Sequence, residues 1–436
     1  MTRPVAGPSG DGLTLTAMST APATAPLVTR TVRLADPGPL LALLPKTDPL
    51  AWVRRGEGLV GWGRALRLRF AGPNRFADAE RAWQDLLRRT VVRDEVGLPG
   101  TGPVAFGSFA FSPGSAAGGV LVVPEVVIGQ RDGQCWLTTI SNGSVVPPAQ
   151  LPEPEPVTGH GGVTFADGAL SAPEWQGAVA QAIRRITAGE VDKVVLARDL
   201  EVRTQRPVDV RWVLGRLADR YPGTWTFSVE GLIGATPELL VRRDKGLVTS
   251  RVLAGTIRRT GDDARDLALA ASLARSSKDL EEHEYAVRSV ADALAPRCTS
   301  MNVPETPFVL HLANVMHLAS DVTGVLRDET TSLGLAAALH PSAAVCGTPT
   351  AAAAAMIDEI EQMDRDRYAG PVGWMDSEGD GEWGIALRCA RLDGADPTRL
   401  RVFAGCGIVA GSDPETELAE SAAKLVPMRD ALACDD

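Results

Sequence analysis

Apolar positions along this chain change period several times, and the changes lay out its elements. From residue 28 to 140 they come mostly in short strand-like runs, interrupted by one helical stretch. Residues 51–53 and 59–61 flank the polar turn 54–58 and predict a hairpin. Across 77–92, Ala79, Trp83, Leu86, Leu87 and Thr90 recur at helical spacing. Residues 104–111, 119–128 and 135–140 predict buried strands. The stretch 142–169, with Pro147, Pro148, Pro152, Pro154 and Pro156, predicts a linker.

Beyond the linker the alternation is cleaner. Ser171-Ala-Pro-Glu174 reads as a capping box with proline in the first turn. Trp175, Val179, Ile183 and Ile186 then line one helical face as far as Gly189. Strand-like runs at 193–202, 224–233, 239–242, 247–253, 307–326, 372–375, 383–392 and 400–408 are separated by helical patterns at 263–275, 278–294 and 350–365. Ser412-Asp-Pro-Glu415 predicts a second capping box, opening a last helix to about Leu432. Mixed runs without regular strand–helix alternation predict an α+β fold. Residues 1–27, rich in Thr, Ala, Pro and Gly, predict a disordered tail.

Composition narrows the function classes. The chain has 436 residues, 44 Lys+Arg against 54 Asp+Glu, and a formal charge of −10. Net acidity with no basic tract argues against a general nucleic-acid binder. The six cysteines are dispersed, without CxxC pairs, so neither a disulfide framework nor a zinc ribbon is expected. No apolar run approaches the ~20 residues needed to span a bilayer, and no secretory signal opens the chain. A soluble, reducing-compartment protein is expected. No P-loop, GxSxG elbow or strand-borne GxGxxG with a following acid is present, so nucleotide-binding and hydrolase readings rank low.

A few residues stand out chemically. Glu417, Glu420 and Lys424, at i, i+3 and i+7, share one face of the last helix. They could hold a hard divalent cation or form a solvated surface pair. Just before them, Gly405 and Gly407 end a strand where backbone N–H groups could approach a carboxylate. Glu281 and Glu282 lie in the most acidic short stretch, either as further metal ligands or as ordinary helix N-terminal acidity. Lys193 heads an apolar strand, where it could snorkel or serve as a general base. Glu238, flanked by apolar residues after Pro237, could be held protonated by desolvation, or be a turn carboxylate. Arg388 follows an apolar run and needs a partner, either a substrate carboxylate or an acidic side chain. His317 is a site donor or a satisfied core histidine.

Taken in order, Asp192-Lys-Val-Val-Leu-Ala-Arg198, Gly234-Ala-Thr-Pro-Glu-Leu239, Leu253-Ala-Gly-Thr256, Ser277-Lys-Asp-Leu-Glu-Glu-His283, Val315-Met-His-Leu318, Leu339-His-Pro-Ser-Ala-Ala-Val-Cys-Gly347, Tyr368-Ala-Gly-Pro-Val-Gly-Trp374, Ala386-Leu-Arg-Cys389, Gly405-Cys-Gly-Ile-Val409 and Glu417-Leu-Ala-Glu-Ser421 resemble the motifs of chorismate-utilising enzymes, and within them the isochorismate synthases. The resemblance runs from about residue 28 onward. It implies a single large domain over 28–436, with an N-terminal portion at 28–165 and the catalytic motifs at 171–432. Two layered α/β halves, with mainly antiparallel sheets, would surround a deep site. The implied substrate is chorismate, with Mg²⁺ on its ring carboxylate. Glu282 and Glu420 match the metal ligands, with Glu417 and Glu281 as water-mediated neighbours. Arg388 and Lys424 match residues that hold the substrate's carboxylates, Gly405 and Gly407 the binding-loop backbone, and Thr256 and His317 positions lining the pocket. Lys193 matches a base and Glu238 an acid, for water attack at ring C2 and departure of the C4 hydroxyl. Lys193 also separates the chain from aminating members that take ammonia from a glutaminase partner. A salicylate synthase, which goes on to eliminate pyruvate, is the alternative enzyme, and Ala344, where those enzymes tend to carry threonine, favours stopping at isochorismate. Ser421 and Ser342-Ala343 depart from the usual Thr and Thr-Pro. The implied protein is a cytoplasmic monomer without glutaminase subunit, nucleic acid or membrane. A non-catalytic chorismate-binding regulatory protein is the rival from another class.

Overall fold

The computed structural model describes residues 26–143, 155–313 and 315–433. The predicted tail over 1–25, the linker residues 144–154 and the side chain of Glu282 lie outside the described residues.

Among the described residues, two large sheets of 13 and 10 strands form the body. The first runs from Lys193–Thr204 and Arg399–Ile408 through Cys389–Leu392, Leu232–Thr236, Trp225–Val229 and Leu50–Arg54 to Leu27–Leu34 and Val91–Asp94. The second runs from Val315–Leu326 and Leu247–Arg258 through Leu239–Asp244, Gly381–Ile385 and Pro371–Asp376 to Val104–Phe109 and Leu66–Phe70. Pairing is antiparallel among the described residues except where Leu27–Leu34 meets Val91–Asp94. Both sheets take strands from either side of the linker. Leu50–Arg54 pairs with Trp225–Val229, and Val104–Phe109 with Pro371–Asp376. The fold is therefore one α+β body, although length alone, at ~150 residues per domain, suggests about three domains.

Burial of aromatic side chains explains why the sheets stack. Trp52, Phe106, Phe109, Phe227 and Trp383 are fully buried in the main cluster. Each contributes roughly 1.5–3 kcal/mol of burial. A second cluster covers the outer face of the first sheet with Val213, Leu214 and Leu217 of helix Val210–Arg220 and Leu425, Met428 and Leu432 of helix Pro414–Leu432.

Several predicted elements change on folding. The pattern over 77–92 resolves into helix Arg75–Leu87 and strand Val91–Asp94, since adjacent β-branched Val91 and Val92 suit a strand better. The run 119–128 breaks at Pro124 into Gly119–Val123 and Val126–Arg131, one in each sheet. Proline cannot donate to a ladder. The run 224–233 folds back at Glu230 and Gly231, both with positive φ, into a tight hairpin. The linker contains strand Val163–Asp167. The first strand starts at Leu27, one residue inside the predicted tail. The helix predicted to reach 365 stops at Ile360, because Gln362 turns left-handed.

At Ser171 the capping box forms, with the Glu174 carboxylate accepting from the Ser171 N–H at 2.8 Å. At the last helix the cap is Asp413 rather than Ser412, its Oδ1 accepting from the Thr416 N–H at 2.9 Å. Ser412 is drawn inward instead, onto Glu417. Two helices are missing from the predicted pattern: Val210–Arg220, whose signal is the Asp209 cap with Val210, Val213, Leu214 and Leu217 on one face, and Ser332–Leu339, which is apolar almost all round and shows no such face.

Candidate active site

A cavity of about 260 Å³ opens where the Lys193–Thr204 and Arg399–Ile408 strands face the Leu247–Arg258 and Val315–Leu326 pair. Helices Ser277–Leu294 and Pro414–Leu432 close its sides.

The first wall is a regular ladder. Lys193 heads its strand, Ala197 lies opposite Gly405, and Val195 opposite Gly407. Lys193, Gly405 and Gly407 all line the cavity. A Cβ at Gly405 would come within 2.9 Å of the Leu196 carbonyl and 3.2 Å of the Tyr368 hydroxyl, so that position needs glycine. Lys424 donates to the Gly405 carbonyl at 3.0 Å and pairs with Glu420 Oε1 at 2.7 Å. The face predicted from i, i+3, i+7 spacing thus points into the cavity rather than to solvent.

Carboxylate environments differ sharply. Glu238 is 7% exposed. Burial pushes its carboxyl up to about 8, against the pull of Lys424, Lys193 and Arg388. Its N–H donates to Thr236 Oγ1 at 3.2 Å, which fixes the turn after Pro237. Burial also raises Glu417, and the neighbouring Glu420 charge adds to the shift. At Glu420 burial works upward too, but Lys424, Arg388 and Lys193 outweigh it and hold the carboxyl below its ordinary range.

Arg388 is the clearest ligand signal. It sits between strands with φ of 49° and is 8% exposed. Its guanidinium makes no hydrogen bond or ion pair among the described residues, yet it lines the cavity. Burial lowers its pKa, while Tyr368 and Glu420 oppose that shift. A buried charge without a partner is costly, and an anion entering the cavity would remove the cost. The acidic side-chain partner considered for Arg388 is absent among the described residues.

His317 faces Thr256 across the two inner strands, with Nδ1 and Thr256 Oγ1 3.0 Å apart. Its Nε2 has no partner among the described residues. Burial, with Arg388 and Lys424 nearby, drives its pKa down to about 3, so the ring is neutral. One ring nitrogen is fixed and the other is left for a ligand. Ala344 lines the cavity beside Val345.

The second helix corrects one expectation. Glu281 is exposed and off the cavity, whereas Asp279 of the same helix lines it. Two residues of helix rotate a side chain by ~200°, which carries Glu281 away when Asp279 faces in. Asp279, Tyr368 and Arg365 line the cavity without having been singled out. Tyr368 stands in a quoted motif, stacked on Phe403 with centroids 5.0 Å apart.

Glu417 and Glu420, one turn apart and both on the cavity, are oxygen donors of the kind a hard divalent cation takes, while no group of three or more His, Cys, Asp or Glu side chains placed to hold a metal occurs among the described residues. Burial is the main cause of the upward shift of Glu417 and the Glu420 charge a smaller one, and a bound cation would oppose both.

Comparison with known proteins agrees with this layout. The family model described as chorismate binding enzyme matches residues 31–145 and 156–433. The chain is 40% identical over 296 residues to isochorismate synthase DhbC of Bacillus subtilis, covering 65% of this chain and 73% of that protein. The crystal structure of a 2,3-dihydroxybenzoate-specific isochorismate synthase, DhbC, from Bacillus anthracis superposes with a TM-score of 0.74 at 32% identity, over 90% of this chain and 98% of the other. MenF, the menaquinone-specific isochorismate synthase of Escherichia coli, gives 0.78 at 25% identity, over 94% and 96%. With a family model matched along nearly all of its described length and these motifs gathered round one cavity, the chain belongs to the chorismate-binding enzyme family.

Proposed function

We propose that this protein is an isochorismate synthase, an isomerase that interconverts chorismate and isochorismate with Mg²⁺ as cofactor. One observation carries the reading: Lys193 and Glu238 share a cavity with Arg388, a buried cation that makes no hydrogen bond or salt bridge among the described residues. The relatives' names span menaquinone-specific and 2,3-dihydroxybenzoate-specific synthases, and isochorismate is the product those names share.

Arg388 and Lys424 receive the substrate's carboxylates. Lys193 accepts a proton at Nζ from water adding to ring C2. Glu238, protonated at neutral pH, gives its proton to the hydroxyl leaving C4, while the ring double bonds shift. In the reverse direction the two exchange roles. Neutral His317 donates or accepts at Nε2 without adding charge. Glu417 and Glu420, together with Glu282 by resemblance, would hold Mg²⁺, which supplies positive charge against the ring carboxylate when bound. No helix among the described residues is long and apolar enough to cross a membrane. This reading places the enzyme in the cytoplasm, as a monomer that needs no glutaminase subunit.

The test is incubation of purified protein with chorismate, with and without Mg²⁺, and chromatography of the products. Isochorismate formed only with Mg²⁺ is expected. Salicylate with pyruvate would reassign the chain to the lyases, and anthranilate in the presence of ammonia would overturn the use of water. Glu420→Ala should abolish the Mg²⁺ response, and an unchanged titration would sink that ligand assignment.

A further inference from the structure

We propose that Arg365 and Glu361 are positioning residues that hold the Lys193 strand and the Ala344 loop in register across the cavity, an inference that rests on the proposed reaction. The geometry starts from a gap in the sheet. On its outer edge, Lys193–Thr204 pairs with Gly347–Thr348 only at residues 193–194 and with Val163–Asp167 only at 200–204. Between these, no strand pairs with residues 195–199 on that edge; the Val195 N–H donates to the Cys346 carbonyl at 2.8 Å and the Asp199 carbonyl accepts from the Gly168 N–H at 3.2 Å, which leaves the Val195 carbonyl and both backbone groups of Ala197 to be satisfied by other means.

Side chains fill the gap. Arg365 Nη2 donates to the Val195 carbonyl at 2.7 Å, and Glu361 Oε1 accepts from the Ala197 N–H at 2.7 Å. The other arm of the guanidinium, Nη1, donates to the Val345 carbonyl at 2.8 Å. Nε donates to Glu361 Oε2 at 2.8 Å, and Nη2 also reaches Glu361 Oε1. The Phe111 ring packs over the guanidinium, 4.2 Å from its centroid. One planar fork therefore ties a carbonyl two residues from Lys193 to a carbonyl one residue from Ala344. Residues at i and i+2 of a strand share a face, so Val195 and Lys193 move together, and both line the cavity.

Stability alone does not call for this arrangement. Arg365 and Glu361 are 3% and 2% exposed, and buried ion pairs are often no better for stability than apolar residues of similar size. What apolar residues cannot do is set two backbone segments at a fixed spacing. The rigid fork of arginine can, and lysine cannot reproduce it.

The test compares wild type with Arg365→Lys, which keeps the charge but not the fork. Expected is a folded protein whose kcat for chorismate falls by about 10²-fold, the scale of a ~1 Å misplacement, with KM little changed. Amide exchange at Ala197 and Cys346 should rise. Should Arg365→Lys fail to fold, Glu361→Gln, which retains an oxygen for the Ala197 N–H, should show the same split in milder form. Full kcat with a lowered melting temperature would reduce the pair to a fold element and overturn the proposal. So would unchanged exchange at Ala197, or a raised KM at constant kcat. Absence of turnover in the wild type would fail the proposed reaction instead, and exchange at Ala197 would still decide for or against the clamp.

Discussion

The two sides of the cavity are held by unequal means. The strand side is bonded to Arg399–Ile408 along ten register pairs, and its open edge is closed by Glu361, Arg365 and the Trp175 indole, which donates to the Ala197 carbonyl at 3.0 Å. On the helix side, the C-terminal half of Ser277–Leu294 enters the main core through Ala286, Val287, Val290 and Leu294. Its N-terminal half, with Leu280, rests on a small cluster of Ala270, Leu273, Met316 and Leu318. Leu267 and Tyr285 nearby are largely exposed. Few buried contacts mean low local stability. The division suits the roles proposed. A base must meet a carbon at fixed distance, so Lys193 belongs on the stiff side. Carboxylates that gather round a cation can be ordered by the cation itself, because binding to the folded form adds to its stability.

Lys193→Ala should produce the largest effect, a loss of about 10³-fold in kcat, within the usual range for a general base. Its melting temperature should barely move, since the strand keeps its ladder. Turnover near the wild-type rate would show that the stiff side carries no base.

Glu238→Gln should follow, with a loss of about 10²-fold in kcat and a gain in stability. The sign follows from the raised carboxyl. Between about pH 4.5 and 8 the unfolded chain has released this proton and the folded one keeps it. Stability of the wild type therefore falls as pH rises through that window, by up to ~1.4 kcal/mol per unit, and Gln removes that loss. Urea unfolding at pH 5 and pH 7.5 checks this. A variant no more stable than wild type at the higher pH would mean that Glu238 is ionised in the folded protein and is not the acid. Catalysis that depends on the protonated form should also decline as pH passes about 8.

Both residues could be picked out in the sequence because each is a polar group stranded in an apolar run, and burial is what makes such a group chemically useful. Helical periodicity put Glu417, Glu420 and Lys424 on one face but left open whether that face met solvent or a site. Arg365 and Glu361 were not, since an i, i+4 charge pair at a helix end usually lies in solvent, and only the incomplete sheet edge shows otherwise. Glu281 misled for a similar reason. An acidic run fixes composition, while helix rotation decides which carboxylate faces in, and here Asp279 does. Sheet order was equally hidden. Alternating runs predict strands, yet nothing local says that Leu50–Arg54 pairs with Trp225–Val229. The Glu230–Gly231 reversal vanished inside a continuous apolar run, where a glutamate in the left-handed region gives little warning.

Leu273→Ala tests the softer side directly. Deleting a buried leucine costs about 2–5 kcal/mol where the site cannot collapse, and this small cluster should relax toward the low end. Hydrogen exchange should accelerate through 263–281 and stay unchanged in Lys193–Thr204. The Mg²⁺ concentration for half activity should rise several-fold, with kcat at saturating Mg²⁺ within about twofold, because the cation restores the order the mutation removes. Equal acceleration on both sides would mean that they open as one unit and that the contrast between them is false.

The smallest effect expected is that of Thr256→Val, which asks whether the inner strands belong with the stiff side. The ladder between Leu247–Arg258 and Val315–Leu326 slips register between Ala254 and Thr256, with Gly255 at φ of 75°. Such a bulge re-aims side chains, and here it brings Thr256 to His317 Nδ1 and Gly255 against Asp279, whose Cβ lies 3.1 Å from where a Gly255 Cβ would sit. The bulge is thus a polar contact between the ladder and the loosely held end of the helix, beside the apolar one that Leu280 makes on Met316 and Leu318. Valine keeps the shape of threonine but removes one hydrogen bond, worth about 1 kcal/mol. If the strands alone hold the ring, His317 stays in place by packing, and the variant should raise KM for chorismate about threefold with kcat and Mg²⁺ dependence unchanged. A shifted Mg²⁺ titration in Thr256→Val would show that the bulge transmits strain to the Asp279 end of the helix, and would move the boundary between the two sides from the helix surface to Gly255.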